Sequence, residues 1–386
     1  MHTTTRGKVV LALGWFVLAV VLLATATPPA RAASPAEAAA PEIPAGVSAG
    51  VAVYDRETGT FTEEHNAHMQ FRAASVVKLL IALDHLWDRG PSYSLPADDR
   101  SRLDSMLRAS DDDAANHYWS NNGGSAIIDR MSAHLELEDT EGPPAGYSGY
   151  WGYTALSAAD TVRIYRWILD RAPAALRDIV MSNLRASTRC GKDGFDQRFG
   201  VPASFQAPWA VKQGWSGFGD TSDCSNTTAT TTATTAARRS IPAEASDVNL
   251  SRPALHSTGT TGPGDRSIVA VFTLHPQGAS FGAAYTDTTR LVRSLNVPGA
   301  VKRTGTWFGT WGSKVQVRAD ATTASKALTT LPAGVEVQVG CQKRGQQVSV
   351  PPYTNDWWAY LPLYGGYVTN IYMSSPDNKL PGVPLC

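Results

Sequence analysis

A chain of 386 residues with 43% hydrophobic side chains is longer than one ordinary domain and able to build more than one core. Its 34 basic and 34 acidic residues cancel to a formal net charge of zero without a long basic run, so nothing points to a nucleic-acid partner. Among eight histidines the closest pair, His65 and His68, has no cysteine or third histidine at zinc-ligand spacing.

Residues 1–32 read as a targeting signal peptide. Arg6 and Lys8 precede an apolar run at 9–26, and Ala30-Arg31-Ala32 offers a small-x-small cleavage site. The run is at the lower length limit for crossing a bilayer, so cleavage rather than a stable membrane span is expected. No cysteine lies in it to carry a lipid. An Ala/Pro-rich stretch, 33–45, follows as a flexible linker. The protein is therefore expected to be secreted. Four cysteines, Cys190, Cys224, Cys341 and Cys386, fit an oxidising compartment. They allow three connectivities; if the chain has two domains, pairing within each gives Cys190–Cys224 and Cys341–Cys386.

Residues 47–66 alternate at strand period and turn at Glu57-Thr58-Gly59, the signal of a hairpin. AASVVKLLIALDHLW (73–87) then reads as the start of a buried helix with Ser75 and Lys78 in its first turn. Residues three apart share a helix face, which puts a hydroxyl and an amine within reach of each other. Five segments between 96 and 186 carry helix periodicity. Strands are expected at 207–215, 254–260 and 267–276, and a closing helix at 281–296. A hairpin, a run of helices, further strands and a last helix make an α+β layout, simplest as one antiparallel sheet with the helical block beside it. The Thr/Ala-rich stretch 226–246 reads as an exposed low-complexity insertion.

Composition shifts again at 299–310, read as a second linker. Residues 311–386 show short strand-period runs, frequent Gly and Pro, and no helix pattern, pointing to a small all-β barrel.

Three motifs fall in one order: Ser75-Val76-Val77-Lys78 opening a helix, Ser110-Asp111-Asp112 in a loop between helices, and Lys212-Gln213-Gly214 on a strand. This set resembles the penicillin-recognising serine hydrolases, namely class A β-lactamases and the D,D-peptidases called penicillin-binding proteins. The resemblance covers residues 46–298. It implies that Ser75 is an acylating nucleophile, Lys78 its base, and Ser110 the donor that protonates the leaving nitrogen. It also implies that Asp112, Lys212, Gln213, Gly214 and Trp215 contact the substrate. Lys212 would meet a substrate carboxylate, and the Ser75 and Trp215 N–H groups would form an oxyanion hole. The substrate would be a β-lactam or a peptidoglycan-like acyl compound, with no metal or organic cofactor, since serine acyl transfer needs none.

The sequence departs from the family at three places. Asp112 stands for the usual Asn and Gln213 for the usual Thr. The Glu-x-x-Leu-Asn motif whose glutamate activates the deacylating water is missing from the region before Thr154, and neither Glu136, Glu138 nor Glu141 replaces it. Slow deacylation is the expectation. The competing reading is a non-catalytic cell-wall-binding protein on a decayed hydrolase scaffold.

The stretches CQKRGQQV, NDWWAYLP and GGYVTNIYM resemble bacterial SH3-like domains of exported cell-wall proteins. That resemblance implies cell-wall association and an aromatic surface drawn from Trp357, Trp358, Tyr364, Tyr367 and Tyr372. Neighbours on a strand face opposite ways, so one of Trp357 and Trp358 is expected in the core and one on the surface.

Overall fold

The computed structural model describes residues 1–5, 7, 41–219, 224 and 248–386. Nearly all of the targeting segment expected at 1–32, most of the linker expected at 33–45, and the whole insertion at 226–246 lie outside the described residues. The secondary-structure elements all belong to one unit, Ala38–Cys386.

Strands β1 (Ser48–Asp55) and β2 (Thr60–His65) form the expected hairpin. After the short β3 (Phe71–Arg72), a 3-10 turn at Ala74–Val77 runs directly into α1 (Lys78–Leu86). The helical block continues with α2 (Ala97–Arg108), α3 (Asp112–Asn121) and α4 (Ala126–Leu135). β4 (Ala155–Leu156) returns to pair with β3, and α5 (Ala158–Arg166), α6 (Ala174–Arg185) and the one-turn α7 (Val201–Ser204) follow. Strands β5 (Trp209–Ser216), β6 (Ala254–Thr261) and β7 (Ser267–Leu274) lead to α8 (Phe281–Ser294).

The sheet runs β2-β1-β7-β6-β5 and is antiparallel throughout, so β1 from one end of this segment pairs with β7 from the other. Ala52, Tyr54, Ala270 and Phe272 join the core of the helical block, while Val51, Val53, Val269 and Val271 join a second core with Leu291 and Val292 of α8. This is the period-two alternation of a strand with both faces covered. α1 is apolar nearly all round because it sits inside the helical block. Leu79, Leu80, Ile81 and Leu83 are all fully buried, and each such side chain contributes about 1.5–3 kcal/mol.

The C-terminal part holds β8 (Thr306–Gly309), β9 (Gln316–Arg318), β10 (Ala327–Thr330), β11 (Glu336–Val339), β12 (Cys341–Val350), β13 (Tyr353–Leu361) and β14 (Gly366–Thr369). Five of them make an open sheet, β10-β9-β14-β13-β12, and β8 pairs separately with β11. An all-β region is present, but the sheet ends on two edges instead of closing into the expected barrel. The residues read as a linker, 299–310, contain β8 and a bridge between Lys302 and Phe205. The C-terminal strands share a core with the preceding part: Phe195, Phe199, Trp215, Phe281 and Tyr285 pack in one cluster with Val315, Leu331, Val335 and Val337. Close approach depends on Gly282 of α8, where an added Cβ would sit 2.0 Å from the Ala333 carbonyl oxygen. Arg290 grips Glu336 through two hydrogen bonds of 2.8 and 2.7 Å.

Cys190 is bonded to Cys224 and Cys341 to Cys386. Trp358 is core, donating its indole N–H to the Gln346 carbonyl, while Trp357 lies outside between Arg344 and Lys379. Tyr364, expected on a binding surface, is instead buried against Arg189 and Tyr285 of the first part.

Candidate active site

Three backbone devices bring the motif residues together. Ala74 takes a left-handed conformation (φ 44°) that turns the chain from β3 into the 3-10 turn carrying Ser75. Asp111 caps α3: its Oδ1 accepts from the N–H groups of Asp113 (3.0 Å) and Ala114 (3.2 Å), and Ser105 donates to its Oδ2 (2.7 Å). The cap holds the preceding Ser110 in the left-handed region (φ 56°), a conformation that costs a non-glycine residue roughly 1 kcal/mol or more. Strand β5 supplies the third side. A Cβ added at Gly214 would lie 3.0 Å from the Ala73 carbonyl oxygen and 3.3 Å from the Ser75 nitrogen. Glycine at this position lets the edge strand come close to the serine without crowding these backbone atoms.

Lys78 is fully buried. Its Nζ donates to Ser75 Oγ (3.0 Å), to the Ser110 carbonyl oxygen (2.6 Å) and to Asp112 Oδ1 (2.5 Å), with the Trp151 ring centre 4.6 Å away. Lys212, 1% exposed, donates from Nζ to Ser110 Oγ at 2.7 Å. Its backbone carbonyl accepts from Thr258 Oγ1 (2.6 Å), which is itself 3.1 Å from the buried Tyr165 hydroxyl. The result is a continuous chain from Ser75 through Lys78 and Ser110 to Lys212.

Burial pushes the Lys78 amine below the ordinary lysine range, and the Asp112 carboxylate opposes that push. Lys212 is driven well below its usual value by burial and by the neighbouring Lys78 charge. A buried lysine whose charged form is disfavoured stands where it can take the serine proton as the hydroxyl attacks a carbonyl.

The structure separates some candidates from this cluster. Gln213, next to Lys212 on the strand, faces the other way, and its Nε2 donates to the carbonyls of Gln197 (3.1 Å) and Phe199 (2.7 Å). It is 1% exposed and unavailable to a substrate. Asp112 is at the site, but one carboxylate oxygen is committed to Lys78, and an ionised carboxylate has no hydrogen to donate to a substrate amide. Glu136 ends α4 in a left-handed cap, Glu138 pairs with Arg163 at 2.7 Å, and Glu141 bridges Ala155 through its backbone.

Two residues at the site were not singled out by motif. Trp151 leads a 3-10 turn, Trp151–Tyr153, packed on the Ser75 turn, and its indole N–H donates to Asn116 Oδ1 at 2.8 Å. The density of aromatic residues in GYSGYWGY was its sole signal. Asp193 stands in the loop that follows Cys190. Its Oδ2 accepts from the Trp215 indole N–H at 2.8 Å and its Oδ1 from the Phe195 N–H at 3.4 Å. Although the residue as a whole is exposed, the surroundings of its carboxyl group are dry enough to raise its pKa, and Lys78 and Asp112 both feel its charge. Nothing local in the sequence marks it.

No family model matches the chain. Over 175 residues it is 39% identical to proteins named "Putative lipoprotein LppW" from Mycobacterium bovis and Mycobacterium tuberculosis, a stretch covering 44% of this chain and 54% of theirs. Similar solved structures include the β-lactamase from Streptomyces albus G (19% identity, TM-score 0.44, 65% of this chain and 95% of that one). Another is PBP-A (14% identity, TM-score 0.45, 65% and 90%), and a third is the class A β-lactamase from Mycobacterium abscessus (17% identity, TM-score 0.43, 64% and 92%). The chain spans about half the length of the curated relatives it matches.

Proposed function

We propose that this protein is an exported serine acyl-hydrolase of the penicillin-recognising type, with Ser75 as nucleophile and Lys78 as its base. The observation that carries the reading is the buried chain Ser75–Lys78–Ser110–Lys212, with Lys78 Nζ 3.0 Å from Ser75 Oγ and Lys212 Nζ 2.7 Å from Ser110 Oγ. Ser75 Oγ attacks the acyl carbon while its proton passes to Lys78. The oxyanion is held by the backbone N–H groups of Ser75 and Trp215. The leaving group then takes a proton through Ser110, and water attacks the resulting ester to release the acid and free Ser75. The substrate is a β-lactam or a peptidoglycan-like acyl compound, and the C-terminal all-β part, an SH3-like module in this reading, serves association with the cell wall.

Deacylation is slow in this reading. Trp151, not a carboxylate, lies over Lys78 on the side of the loop preceding Thr154, and an indole accepts no proton from water. Intact-mass analysis after incubation with a phenylacetylglycyl ester and with benzylpenicillin tests the assignment. A persistent adduct on the wild type, absent from Ser75→Ala, is expected; labelling equal in both proteins, or none in either, overturns it.

The second reading, a non-catalytic cell-wall-binding protein, draws on the Lys78–Asp112 pair at 2.5 Å, which favours a charged amine unable to act as a base. The same mass analysis separates the two.

A further inference from the structure

Ser110 presents its hydroxyl to Lys212 from a left-handed backbone, and the Asp111 cap secures only the side that leads into α3. The side that leads in from α2 is secured by the loop 187–199. There the Thr188 N–H donates to the Arg108 carbonyl at 3.0 Å and the Lys192 N–H to the Ala109 carbonyl at 2.7 Å. Gln197, 2% exposed, adds its Nε2, which donates to the carbonyls of Arg108 and Thr188, both at 3.1 Å. The same loop is fastened to β5, because the Gln197 and Phe199 carbonyls are the two acceptors of Gln213 Nε2. Neighbours on a strand point to opposite faces. Lys212 therefore meets Ser110 on one face of β5, while Gln213 holds the loop on the other.

Among the described residues β5 ends its sheet, so its outer side is fixed by side chains rather than by a further strand. The hydrogen bonds from Gln213 to the Gln197 carbonyl and from Gln197 to the Arg108 carbonyl register this strand against the chain two residues before Ser110. What that register sets is the 2.7 Å separation of Lys212 Nζ and Ser110 Oγ. Gln213 Oε1 is buried without a hydrogen-bond partner, so the amide is held by its donors alone. A threonine hydroxyl ends two bonds short of that amide nitrogen and would not reach the same carbonyls. We infer that Gln213 is a positioning residue, which holds the Ser110 hydroxyl where it can pass a proton to the leaving group. This rests on the proposed acyl-hydrolase reading and gives a part in it to the residue that departs from the Lys-Thr-Gly pattern.

The test compares acylation of Ser75 by two phenylacetylglycyl esters, one losing methanol and one losing 4-nitrophenolate. In both, Ser75 Oγ bonds to the acyl carbon and the bond from that carbon to the leaving oxygen breaks. Methoxide is too basic to leave unaided, so the proton given up by Ser75 has to reach it through Ser110. Nitrophenolate leaves as the anion, and the proton stays on the Lys78 amine. Gln213→Met keeps the volume and removes the donors. It is expected to slow acylation by the methyl ester about tenfold, read by intact mass, and nitrophenolate release by at most about twofold. In a Ser110→Ala background the same substitution should add no further slowing with the methyl ester, which a general loosening of the fold would not mimic. Gln213→Thr, a residue suited to a strand, is expected to show the same dependence on leaving group. Circular dichroism checks folding of each variant. Equal slowing of both esters, slowing that persists in the Ser110→Ala background, or no slowing in a folded variant overturns the inference while leaving Ser75 acylation standing. Failure of both esters to label Ser75 in the wild type overturns the acyl-hydrolase reading and the inference with it.

Discussion

The segment from Ser105 to Asp112 and the turn from Tyr147 to Thr154 both border the Ser75–Lys78 pair, and they are built from opposite materials. In the first, Asp111 ties down Ser105, Asp113 and Ala114, and Ser110 is held between two lysines. In the second, Tyr147, Tyr150 and Tyr153 pack ring against ring, and Trp151 lays its face toward Lys78. Polar groups buried in a complete network fix positions to tenths of an ångström, which proton transfer demands. The aromatic rings offer an attacking water no base. Under the proposed reading the first segment serves formation of the acyl-enzyme, and the second protects it.

Breaking the polar side has the largest effect. Lys78→Met removes the amine but keeps most of the volume, and is expected to slow adduct formation on Ser75 by about 10^2 to 10^4-fold, read by time-resolved intact mass. Converting the aromatic side comes next. Trp151→Glu puts a carboxylate where the indole stands, and is expected to shorten the adduct lifetime by about tenfold or more; an unchanged lifetime would show that the indole is not what limits water attack. The smallest effect sharpens the charge state of Lys78. Its acylation rate should rise with pH as the amine loses its proton, with a midpoint below the ordinary lysine value because burial disfavours the cation. Asp112 pulls that midpoint upward, so Asp112→Asn should move it to lower pH. A shift to higher pH in the variant would contradict the assignment of Lys78 as the group that titrates.

The serine and lysine positions were legible because each is set by a local device. Ser75 and Lys78 sit at a helix start, Ser110 beside an Asp cap, and Lys212 on an apolar strand. Gln213 was misjudged as a substrate contact, although the same strand alternation that places Lys212 inward turns its neighbour away. Trp151 and Asp193 had no local mark, because their meaning comes from residues 73 and 22 positions away in the chain, Lys78 and Trp215. The C-terminal region shows the same limit. Its strands were readable from alternation, and the division of Trp358 and Trp357 between core and surface followed from it. Closure of the sheet depends on pairing between its outermost strands, which alternation within a strand does not encode.

The aromatic cluster that Phe195, Phe199 and Trp215 share with Val315, Leu331 and Val335 bears on how such a chain can be reassembled. Trp215 lies at once in that cluster and next to Gly214, so the edge strand β5 leans on the C-terminal strands. Replacing the strands beyond residue 299 with an unrelated segment would leave those rings facing water and Arg290 without Glu336. Any recombinant or natural exchange of these strands has to replace the contact surface with them, which ties the inheritance of the two parts together.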